Sequence, residues 1–63
     1  MNYELKNAIE SGKVIFKNVY ETNRGVYLLL VVKHNEQFYI FKYKNRVLVF
    51  ANNLNKMREI SMI

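Results

Sequence analysis

The sequence predicts an α+β domain: a short N-terminal helix, a four-stranded antiparallel β-meander and, in one of two readings of the tail, a short C-terminal helix. Three observations carry this. Leu5, Ala8 and Ile9 recur at helical spacing near the start. Four runs rich in β-branched and aromatic residues follow, and turn signals at Asn23, Asn35 and Asn45 separate them at the near-regular intervals of consecutive hairpins.

Each element has its own local cause. Asn2 is an N-cap residue with Glu4 in the first turn, and Ser11-Gly12 stops the helical run. Lys13 to Tyr20 reads as the first strand, and Glu21 to Gly25 as a turn in which Asn23 and Gly25 can take positive φ. Val26 to Lys33 is the second strand. His34 to Gln37 is a polar break before the third, Phe38 to Lys44, and Arg46 to Ala51 forms the fourth after a turn at Asn45. Beyond Asn52 two outcomes are open: Asn53 caps a helix carrying Leu54, Met57 and Ile60, or Ile60 to Ile63 forms a short edge strand.

The hairpin from Val26 to Tyr43 is apolar at alternate residues of both parities, whereas a sheet with one solvated face alternates strictly. Such a sheet has two faces that call for cover. A two-residue loop at Asn35-Glu36 sets Lys33 opposite Phe38 and assigns the faces. One face then carries Val26, Leu28, Leu30, Val32, Tyr39, Phe41 and Tyr43, joined by Leu48 and Phe50, and is the expected core. The other carries Tyr27, Leu29, Val31, Phe38 and Ile40 with Val47 and Val49, flanked by Lys33, Lys42 and Lys44. From this second face we take Tyr27, Lys33, Phe38, Ile40, Lys42 and Lys44 as the expected partner-binding residues, because extended apolar patches mark interaction sites.

The 63 residues make one small domain near the lower limit at which a core alone offsets chain entropy, and the absence of Cys removes disulfide support. A homodimer is therefore expected. The N-terminus lacks the pattern of a secretory signal, and the longest apolar run falls far short of the roughly 20 residues that span a bilayer, so a cytoplasmic protein that does not engage membranes is expected. Nine Asn and seven Lys in so short a chain suit an AT-rich genome and the small products of bacteriophages and mobile elements.

Ten Lys and Arg against five Glu, with no Asp, leave a formal charge of +5 and favour an anionic partner. Catalysis is disfavoured by inventory. One His, two Ser, one Thr and no Cys offer no nucleophile, base and orienting group in combination, and no metal-ligand spacing, so no enzyme activity, metal or cofactor is expected. Glu4 and Glu10 read as charges on the helix surface. The leading expectation is a protein-interaction domain, of phage or mobile-element type, that docks on the acidic surface of a host protein and inhibits or modulates it. The alternative is a single-stranded nucleic-acid-binding protein that uses the same aromatic and Lys side chains as stacking platforms and phosphate contacts.

Overall fold

The computed structural model describes the backbone of residues 2–61 and the side chains through residue 57. Helix α1 (Tyr3–Ser11) leads into strands β1 (Lys13–Thr22), β2 (Gly25–His34), β3 (Gln37–Lys44) and β4 (Val47–Asn53), and helix α2 (Leu54–Ser61) follows. The strands form one antiparallel sheet in sequence order. This is the α+β arrangement the sequence predicts.

Helix α1 begins where Asn2 Oδ1 accepts from the Leu5 N–H at 2.8 Å and ends where the Gly12 N–H donates to the Ala8 carbonyl at 2.8 Å. Gly12 is required by proximity rather than by its dihedrals. A Cβ there would run into Val32 Cγ1 and the Ala8 carbonyl. The later turns, Asn35-Glu36 and Asn45-Arg46, hold all four residues at φ between 48° and 71°, the type I′ geometry whose twist matches that of the strands. The first turn differs. Thr22 Oγ1 accepts from the Arg24 N–H at 3.1 Å, and of Asn23 and Gly25 only Gly25 has a positive φ, 141°.

The two-residue turn at Asn35-Glu36 does set Lys33 opposite Phe38, and the pairs Leu30–Phe41 and Val32–Tyr39 follow on the face that α1 covers. Ala8, Val32, Tyr39 and Phe41 are buried, with Leu5, Ile9, Leu30, Tyr43, Leu48 and Ala51 packed around them. Two expected core residues lie elsewhere. Val49 is the extra residue of a bulge, since Tyr43 pairs with Leu48 but Lys42 with Phe50. That insertion sends Phe50 to the opposite face and puts Ala51 against Phe41 in its place, and Val49 itself is unpaired rather than a regular member of the second face. Val26 shares the helix-side face but is 46% exposed. The reason is length: ten strand residues extend about 33 Å, while the nine of α1 cover only about 14 Å.

The tail is helical through Ser61, capped by Asn53, whose Oδ1 accepts from the Asn55 N–H at 2.8 Å. The side chain of Ile60, and Met62 and Ile63 of the alternative edge strand, lie outside the described residues.

Candidate functional site

Residues directly opposite one another in an antiparallel ladder share a face, so the registers fix the composition of the surface opposite α1. From β1 it takes Lys13, Phe16, Asn18 and Tyr20, and from β2 Tyr27, Leu29, Val31 and Lys33. From β3 it takes Phe38, Ile40, Lys42 and Lys44, and from β4 Val47, Phe50 and Asn52. All six residues singled out in the sequence, Tyr27, Lys33, Phe38, Ile40, Lys42 and Lys44, lie on this one face. The surface carries four lysines, and no acidic residue stands on it among the described strands.

The side chains there are organised rather than scattered. Tyr20 and Tyr27, a register pair, stack with ring centroids 5.2 Å apart and planes 12° from parallel. Lys42 Nζ lies 5.0 Å from the Tyr27 ring centroid, and Lys33 Nζ lies 6.0 Å from that of Phe38. The ammonium groups thus rest on aromatic faces whose quadrupole attracts them, which positions the charge at the surface with no carboxylate paired to it among the described residues. Lys13 opposite Lys33 adds a like-charge pair that an anionic group would relieve. Phe16, Phe38 and Phe50 are each more than a third exposed and add apolar surface to the same face.

Phe16, Tyr20, Lys13 and Phe50 are absent from the sequence-derived set for two reasons. Treating Asn23-Arg24 as a two-residue loop, with Thr22 opposite Gly25, places Tyr20 and Phe16 on this face. Lys13 and Phe50 arrive only through bulges, at Ile15 and Val49, and no turn residue signals either one.

A polar cluster on the helix side gives Glu4 a role beyond that of a surface charge. Its carboxylate accepts from the Tyr39 hydroxyl at 2.7 Å, from Asn53 Nδ2 at 2.9 Å and from Lys56 Nζ at 3.2 Å, while Asn53 Nδ2 also donates to Gln37 Oε1. The expectation of a simple helix-surface charge is corrected accordingly: one carboxylate joins α1 to β3, β4 and α2. Hydrogen bonds from Tyr39, Asn53 and Lys56 hold the Glu4 carboxyl below the usual carboxylate range. Burial, and then the Glu4 contact, push the Tyr39 hydroxyl above its ordinary value. No buried polar side-chain atom in the cluster is left without a partner, so its chemistry is that of a clamp.

No family model, curated protein or solved structure matches this chain. Function therefore rests on the surfaces themselves. Among the described residues no three His, Cys, Asp or Glu side chains gather to hold a metal ion, and no helix is long and apolar enough to cross a membrane. Near the end of the sheet beyond the reach of α1, an open groove of about 580 Å³ is lined by Val26, Tyr27, Leu28, Tyr43, Asn45 and Arg46. Asn45 shapes its rim by accepting from the Val26 N–H at 3.0 Å and donating its own N–H to the Val26 carbonyl at 2.8 Å.

Proposed function

We propose that this chain is a non-enzymatic interaction domain whose open sheet face docks on the acidic surface of a partner protein and thereby inhibits or modulates it. One observation carries the reading: among the described residues the face joins aromatic and aliphatic side chains with four lysines and no carboxylate. The apolar centre, Tyr27, Leu29, Val31 and Ile40, supplies affinity by losing water, and Lys33, Lys42 and Lys44 steer an acidic surface into register. The Asn- and Lys-rich composition suits a phage or mobile-element product acting on a host protein. A direct test is capture from a nuclease-treated lysate by the unmodified chain and by the variant with Lys33, Lys42 and Lys44 changed to Glu. A partner retained by the first and lost by the second, with the fold unchanged by circular dichroism, supports the reading. Equal retention by both refutes it.

The stacked Tyr20–Tyr27 pair favours a second reading, a single-stranded nucleic acid laid across the same face. Titration with a short oligonucleotide separates the two. Tight binding whose logarithm falls with log salt by about 0.7 per phosphate contact, and which is removed by the lysine changes, replaces the protein partner with a nucleic acid.

A further inference from the structure

Strand β1 lies at one edge of the sheet and pairs only with β2. It is unusually bare for an edge of ten residues: Val14, Ile15, Phe16 and Val19 are each about half exposed or more, and no proline interrupts it. Thr22 and Gly25 close its hairpin, so even-numbered residues from Phe16 to Thr22 direct their backbone groups to β2. Lys17, Val19 and Glu21 therefore point theirs outward. The bulge at Ile15, between the pairs Val14–Val32 and Phe16–Val31, ends the regular edge on one side and the turn at Asn23 ends it on the other. The usable edge is thus residues 16–22, and its midpoint is Val19.

That segment is self-complementary about its midpoint. From it we infer that a second copy of this chain pairs antiparallel along β1, with the two-fold axis passing through Val19. In that register Val19 meets Val19, Lys17 meets Glu21, Asn18 meets Tyr20 and Phe16 meets Thr22. Opposed residues then share a face, and the outward-directed residues Lys17, Val19 and Glu21 pair among themselves, completing the ladder hydrogen bonds. Moving the axis by one residue toward the bulge sets Lys17 opposite Val19, and by two sets Lys17 against Lys17, so only the Val19 register neutralises the edge charges. The open faces are a poor alternative seat for the second copy, because stacking them would bring the lysines of both chains together. Edge pairing instead leaves those faces side by side on one continuous sheet, and the inference stands whatever partner the open face takes.

Sedimentation of the full chain over a hundredfold concentration range tests the pairing. A dimer at tens of micromolar is expected. Lys17→Glu and Glu21→Lys each oppose like charges and should weaken the dimer tenfold or more, and the double exchange should restore it, which a merely structural role for either side chain does not predict. Val19→Pro, whose missing N–H faces away from β2, should give a folded monomer. A monomer at hundreds of micromolar overturns the inference, as does a dimer indifferent to the single charge reversals or not rescued by the exchange.

Discussion

Truncating Phe41 to alanine should unfold the domain or leave it marginally folded, whereas the same truncation one residue earlier, at Ile40, should be tolerated. Phe41 is fully buried between Leu30 and Ala51 under α1, and removing a core phenylalanine costs about 3–5 kcal/mol. A chain of 63 residues has a total stability of only about 3–9 kcal/mol at the usual per-residue range. Ile40 points to the open face and keeps part of its surface in water even in the folded chain. The three carbons it loses are worth about 0.8 kcal/mol each when fully buried, so roughly 1.5–2 kcal/mol is expected after allowing for that exposure. Urea titration followed by far-ultraviolet circular dichroism reads both. If Ile40→Ala proves as damaging as Phe41→Ala in the isolated chain, the assignment of faces is inverted and the open surface is a second core.

Glu4 has a depressed folded-state pKa, so its contribution to stability is complete above the unfolded-state value and is lost as pH falls through the folded one. Thermal melts should show Tm dropping on the acid side, and Glu4→Gln should flatten that limb. Tyr39, raised in the folded state, contributes fully below its ordinary value and loses that contribution as pH climbs through the folded one, an alkaline limb that Tyr39→Phe should remove. Arg46→Gly relieves a left-handed residue at φ 71° and should raise Tm by a few degrees, corresponding to about 1 kcal/mol. Gly12→Ala should destabilise, because the new methyl meets both Val32 and the Ala8 carbonyl, and a melt above that of the unmodified chain would refute the close approach.

Most of the fold was legible because its determinants are local. Asn2 caps its own helix, Asn35 and Asn45 open two-residue turns, and the register of β2 with β3 follows from one loop length. The six candidate residues came together on one face for the same reason. What escaped was what depends on distant partners. The bulge at Val49 carries no glycine or proline to announce it, yet it exchanges Phe50 for Ala51 beneath the helix. Glu4 lies 49 residues from Asn53, and no sequence pattern indicates that their side chains meet.

The separation of charge across the sheet has a consequence for encounter in solution. Lys13, Lys33, Lys42 and Lys44 stand on one side, while on the other Glu4, Glu10 and Glu21 are offset by Lys6, Lys17 and Lys56, so among the described residues the net charge is concentrated on the open face and the molecule carries an electric dipole roughly normal to the strands. Its shortest dimension is 21 Å, more than twice the screening length of about 8 Å at physiological salt. An anionic body approaching the open face therefore feels the lysines almost alone, and in dilute salt the torque on the dipole turns that face toward it before contact.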